Sequence, residues 1–183
     1  MSDSPLKVWL EHNGALLRLR LARPKANIVD AEMIAALSAA FVTHRGNPGL
    51  LAAIVDHEGP HFSFGASVEE HFPEQCEQML RSLHELVCTM LDWPKPILLC
   101  VKGQCLGGGL EFAAAGHLMF LAPDAQLGQP EMKLGVFAPA ASVLLPARIG
   151  QARTEDLLYS GRSIDAPTAL AWGLANEIAE DPD

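Results

Sequence analysis

Residues 16–21 read LLRLRL, leucines alternating with arginines after the first pair. A period of two puts Leu17, Leu19 and Leu21 on one face and Arg18 and Arg20 on the other, which predicts a half-buried strand over residues 15–21. A shorter apolar run at residues 8–10 precedes it. Asn13-Gly14 between the two runs is a hairpin turn signal. After a loop at residues 24–27 the period lengthens. Asp30 reads as a helix N-cap, and Met33, Ile34, Leu37 and Phe41 form a stripe at helical spacing.

Asn47-Pro48-Gly49 breaks the chain. LLAAIVD, residues 50–56, is short and apolar enough to predict a strand buried on both faces. A loop follows, and then a long helix after Pro73, with Met79, Leu83, Leu86, Val87 and Met90 on one side. Trp93-Pro94-Lys95-Pro96 ends that helix. ILLCV, residues 97–101, predicts a buried strand, GQCLGGG a turn and LEFAAAG a helix. Short apolar segments and turns alternate to Gly135, and the remainder is helix-rich. This alternation implies an α/β layered fold in one domain over residues 1–183, with its core reaching to about residue 135.

Composition narrows the classes. The chain has 183 residues, 49% hydrophobic and 19% charged, which is globular rather than disordered. Its formal net charge of -9 argues against nucleic acid or an anionic membrane as partner. A polyanionic ligand would need a local basic patch. Cys76, Cys88, Cys100 and Cys105 form no C-x-x-C pair and read as reduced thiols of a cytoplasmic protein. The first residues lack a signal-peptide profile, and no apolar run is long enough to span a bilayer.

Three segments carry candidate chemistry. In GQCLGGGLE, three glycines follow an apolar strand and open a helix. They allow a tight turn and bring bare backbone N–H groups close to a ligand, at a helix start that favours negative charge. Glu111 lies three residues after Gly108 on the same side of that helix, where a carboxylate beside such donors suits general acid–base work. The glycines equally suit close packing of helix on strand. In HFSFGAS, Gly65 can turn the Ala66 N–H outward as a second donor, although an ordinary loop reads the same way. In GQPE, Glu131 follows Pro130 at a helix start or in a loop, and two carboxyl groups in different environments can divide the addition of water, although a solvated acid at a helix start reads the same way. His57-Glu58-Gly59-Pro60-His61 matches H-E-x-x-H literally, but Gly-Pro is hostile to the helix that a zinc site needs, so no metal is expected. His71, His84 and His117 read as surface or packed side chains.

Together and in this order, RPKAN, FSFGAS, KGQCLGGGLE, GQPEMKLGV and YSGRSIDAPTALAWGLAN resemble the crotonase (enoyl-CoA hydratase/isomerase) family over nearly the whole chain. The resemblance implies a spiral of β-β-α turns and catalysis through a thioester-stabilised enolate. It implies Ala66 and Gly108 as the oxyanion-hole amides and Glu111 and Glu131 as the catalytic pair of a hydratase. It places coenzyme A near Lys25 and Ala26 and near the Gly65–Ser67 loop and Gly107, with Arg23 and Lys25 as sources of positive charge. Coenzyme A belongs to the acyl-CoA substrate, so no separate cofactor is implied. A homo-oligomer, a trimer or a dimer of trimers, is implied as well.

Two departures refine this picture. Ser67 stands where an aspartate commonly follows the Gly-Ala pair. Residues 136–142, VFAPAAS, replace a glycine-rich run and should stiffen the acyl pocket. With the motifs, they resemble the hydratases of this family that add water across a cyclic conjugated acyl group, with Phe64, Phe137 and Pro139 as candidate ring contacts. A general enoyl-CoA hydratase or isomerase, and a non-catalytic acyl-CoA-binding fragment, are the alternatives. Family chains continue further, so the C-terminal helical region is expected to be truncated.

Overall fold

The computed structural model describes residues 4–182. β1 (Leu6–Glu11) and β2 (Leu16–Leu21) pair antiparallel, with Leu6 opposite Leu21 and Glu11 opposite Leu16. The expected hairpin is present. Its connection has four residues, with His12 and Asn13 at φ 49° and 56° and Gly14 at 88°. α1 (Ala31–His44) returns the chain to β3 (Ala52–His57), which lies parallel to β2. The Asp30 side chain caps α1 by accepting from Met33 N at 2.9 Å. Met33, Ile34, Leu37 and Phe41 are buried as their spacing predicts.

Thereafter the chain winds in β-β-α turns. α2 (Cys76–Leu91) leads to β4 (Ile97–Val101), β5 (Gln104–Leu106) and α3 (Gly108–Ala114). β6 (Leu118–Leu121), β7 (Gln126–Gly128) and α4 (Pro139–Ile149) repeat the pattern. α5 (Gln151–Ser160), β8 (Ser163–Asp165), α6 (Ala166–Trp172) and β9 (Glu177–Ile178) complete it. The first strands of each turn build a six-stranded sheet in the order β1-β2-β3-β4-β6-β9, and the second strands build a three-stranded sheet, β5-β7-β8. One buried apolar cluster runs from Leu6 to Ala175. Among the described residues no helix is long and apolar enough to cross a membrane.

Two local expectations are corrected. GQCLGGG is not all turn, because Gln104–Leu106 is β5 and pairs with β7. The strand expected over residues 50–56 starts at Ala52, after Leu51, which is exposed. From there it is buried as expected, with no exposed residue through His57, and one face ends on a charge. Asp56 is fully buried, with Arg18 Nη1 2.9 Å from its Oδ2 and Arg20 Nε 2.8 Å from its Oδ1. The arginine face of β2 therefore continues onto β3 as an ion-paired layer.

Candidate active site

The site is assembled where three loops meet. Ser63, fully buried, donates through Oγ to Asn27 O at 2.8 Å and accepts from Gly65 N at 3.1 Å. Its backbone joins β5, with Ser63 N on Gln104 O and Leu106 N on Ser63 O, both at 3.0 Å. The loop around residue 26 joins them through Phe64 N on Ala26 O at 2.9 Å. Asn27 locks the arrangement, donating to Glu58 O at 3.0 Å and His61 O at 2.9 Å.

This stitching brings Ala66 beside the start of α3. A Cβ built on Gly108 would lie 3.0 Å from both Ala66 N and Ala66 Cβ, so only glycine permits the approach without displacement. Gly65, at φ 111°, turns the chain into Ala66. Among the described residues neither the Ala66 nor the Gly108 amide is spent on an intramolecular acceptor. Two adjacent unspent donors can hold one oxygen on which negative charge develops.

Glu111 lies in the first turn of α3 and is 4% exposed. Its Oε1 accepts from Ala141 N, at the start of α4, at 2.9 Å. Burial pushes its pKa up, and the Ala141 and Ala140 amides, with His84 and His71 nearby, pull it back. Glu131 sits in the short 3-10 turn Pro130–Leu134 after β7. Burial pushes its carboxyl up to about 7, against its own backbone amide, and the charge of Glu111 adds to the rise. Gln129, 1% exposed, lays its side-chain amide against Glu131, and with that amide turned so that its nitrogen faces the carboxyl, the nitrogen lies 2.9 and 3.0 Å from the two oxygens. A cavity of about 240 Å³ opens here, lined by Gln129, Glu131, Phe137, Ala138, Ser142 and Tyr159. The arrangement provides two carboxyl groups in unlike settings close to a pair of free amides.

Other expected residues fall differently. Arg23 does not offer a free charge, because it pairs with Asp30 and Glu32. Lys25 is exposed and without a carboxylate partner among the described residues. Ser67 Oγ accepts from Glu70 N at 3.4 Å and its carbonyl oxygen lies 2.6 Å from His71 Nδ1, so it shapes the loop. Phe137 is 71% exposed at the cavity, whereas Phe64 packs edge-on to His61 at 5.0 Å. Pro139 is the first residue of α4. His57 ends β3 and accepts from Lys102 N at 3.2 Å, and His61 accepts from Gln104 N at 3.3 Å. Sequence reasoning missed Gln129, the Ala141 amide, and the proximity of His71 and His84 to Glu111.

Residues 11–183 match the family model described as enoyl-CoA hydratase/isomerase, and the chain belongs to that family. It is 66% identical over 182 residues to the cyclohexa-1,5-dienecarbonyl-CoA hydratase of Thauera aromatica, covering 100% of this chain and 70% of that one. It is 34% identical over 186 residues to a carnitinyl-CoA dehydratase of Salmonella arizonae, covering 97% of this chain and 69% of the relative. Among solved structures, an enoyl-CoA hydratase from Geobacillus kaustophilus superposes with a TM-score of 0.90 at 28% identity, over 97% of this chain and 69% of that one. The spiral fold expected from the motifs is the fold of these proteins.

Proposed function

We propose that the chain is a hydratase of cyclohexa-1,5-diene-1-carbonyl-CoA, acting in the anaerobic degradation of benzoyl-CoA. The observation that carries the substrate is the 66% identity over the whole chain to a hydratase of that name. The paired carboxyl groups and the free amides support the chemistry.

In this reading the Ala66 and Gly108 amides take the thioester oxygen as it gains negative charge, which lowers the barrier to enolate formation. Glu111, whose rise by burial the Ala141 and Ala140 amides of α4 oppose, serves as the base and draws a proton from water. The hydroxide adds to the ring carbon β to the carbonyl. Glu131, held protonated toward neutral pH, donates at the far end of the dienolate. One water is consumed, and the product is 6-hydroxycyclohex-1-ene-1-carbonyl-CoA. Glu131 regains its proton and Glu111 loses one, so the cycle closes by proton exchange between them or with solvent.

Lys25 meets the phosphates of coenzyme A near Ala26, and the Gly65–Ser67 loop and Gly107 face the pantetheine end. The open Phe137 side chain meets the ring. Coenzyme A enters with the substrate, and no further cofactor takes part. The protein works in the cytoplasm as a homo-oligomer, a trimer or a dimer of trimers. It has no role with nucleic acid or a membrane.

Turnover of the cyclic dienoyl-CoA and of crotonyl-CoA, measured side by side on the purified chain, tests the reading. Preference for the cyclic substrate, with the 6-hydroxy product identified by mass, is the expected result. Preference for crotonyl-CoA would make the chain a linear-chain hydratase. Binding of both esters without turnover would make it a non-catalytic acyl-CoA binder.

A further inference from the structure

α3 is only seven residues long, yet it carries both Gly108 and Glu111. Helix ends leave backbone groups without partners inside the helix. At the far end of α3 a side chain from α4 meets them. Arg148 Nε donates to Ala114 O at 2.9 Å, and its Nη2 donates to Gly116 O. Arg148 is half-buried, and among the described residues no carboxylate meets it. Its charge faces these two carbonyl oxygens, at the end of the helix where a cation is favoured.

α4 also touches α3 at the other end, where Ala141 N donates to Glu111 Oε1. Residues 141 and 148 lie roughly 10 Å apart along α4, from the rise of about 1.5 Å per residue. The two contacts therefore hold α3 near its active end and at its tail. A guanidinium is a planar fork of donors, so it fixes two carbonyls relative to each other, which an ammonium does not. Gly108 has little room to move, since its approach to Ala66 already excludes a methyl group. A small tilt of so short a helix would change the spacing of the two amides.

We infer that Arg148 is a positioning residue for the oxyanion site, setting the tilt of α3 and with it the distance between the Gly108 and Ala66 amides. The inference rests on reading those two amides as the oxyanion donors.

Arg148→Met and Arg148→Lys test it in the full chain, read by thermal midpoint, kcat, KM and a spectroscopic probe. The probe is a cinnamoyl-type CoA thioester, whose absorption moves to longer wavelength when its carbonyl is polarised. For Arg148→Met we expect the probe to bind within about threefold of wild type, its shift to shrink and kcat to fall about tenfold or more. Arg148→Lys should recover the thermal midpoint but not the shift, and it decides the matter alone if Arg148→Met does not fold. An unchanged shift and kcat in a folded variant would overturn the inference, as would full recovery of both by lysine. A wild-type chain that shifts the probe but does not hydrate the cyclic diene would refute the proposed substrate and leave Arg148 to be judged on the shift. A wild-type chain that produces no shift would remove the oxyanion reading and this inference with it.

Discussion

Glu131 Oε1 occupies the space that a side chain on Gly107 would need, 2.7 Å from where its Cβ would stand. Gly107 also sits at φ 51°, a conformation that other residues seldom adopt. Gly107→Ala therefore meets strain and collision together. We expect it to cost about 1–3 kcal/mol in stability and to lower kcat by about 10²-fold by displacing the carboxyl. A denaturant melt and steady-state kinetics check both figures. A variant with wild-type kcat would show that the position of Glu131 is not critical.

Glu111→Gln and Glu131→Gln each remove a proposed proton carrier while keeping shape. Each should lower kcat by about 10² or more, with the KM for the CoA ester little changed. Full turnover by either variant would sink the role proposed for that residue.

The raised pKa of Glu131 gives a pH signature with a definite sign. A carboxyl whose pKa is raised on folding holds its proton more tightly in the native state. Its contribution to stability is fully present below about 4.5 and is lost as pH climbs through about 7. Partial exposure reduces the effect, so the wild type should lose about 1–2 kcal/mol relative to Glu131→Gln across that window. Activity should share the group: kcat/KM falls on the alkaline side near pH 7, and Glu131→Gln lacks that limb. Stability curves for the two proteins that run parallel from pH 4 to 8 would contradict the shift.

Gly108→Ala tests the pair of amides. Its methyl group would meet Ala66 N and Cβ at 3.0 Å, so one loop must give way. Loss of one oxyanion donor costs about 10²–10³ in kcat, and that is the expected range, with binding of coenzyme A itself unchanged. Isothermal titration with free coenzyme A separates the two effects.

Much of this was readable in the sequence because the signals are periodic or local. LLRLRL, the α1 and α2 stripes and the Asp30 cap each depend on neighbours a few residues away, and all stand as expected. The glycine run and Glu111 were visible as a motif. Other features depend on residues far apart in the chain. Nothing in GQPE says that Gln129 folds back on Glu131, because a glutamine is usually a surface residue. VFAPAAS read as a stiffening of the acyl pocket, whereas its contribution to Glu111 is a backbone amide, which no side-chain pattern records. Arg23 looked free until folding set Asp30 and Glu32 beside it. β5 was hidden because three residues next to a glycine run look like a turn.

The hub at Ser63 and Asn27 ties residue 27 to residues 58 and 61, and residue 63 to residues 104 and 106. The candidate amides thus come into register only after the parallel strands β2, β3 and β4 have paired across long intervening segments. Long-range pairing of this kind is slow to form and has no local substitute. During refolding, helical signal should therefore return well before hydration activity. Activity would then report the last-formed part of the spiral, and a chain that had recovered its helices alone would be catalytically silent.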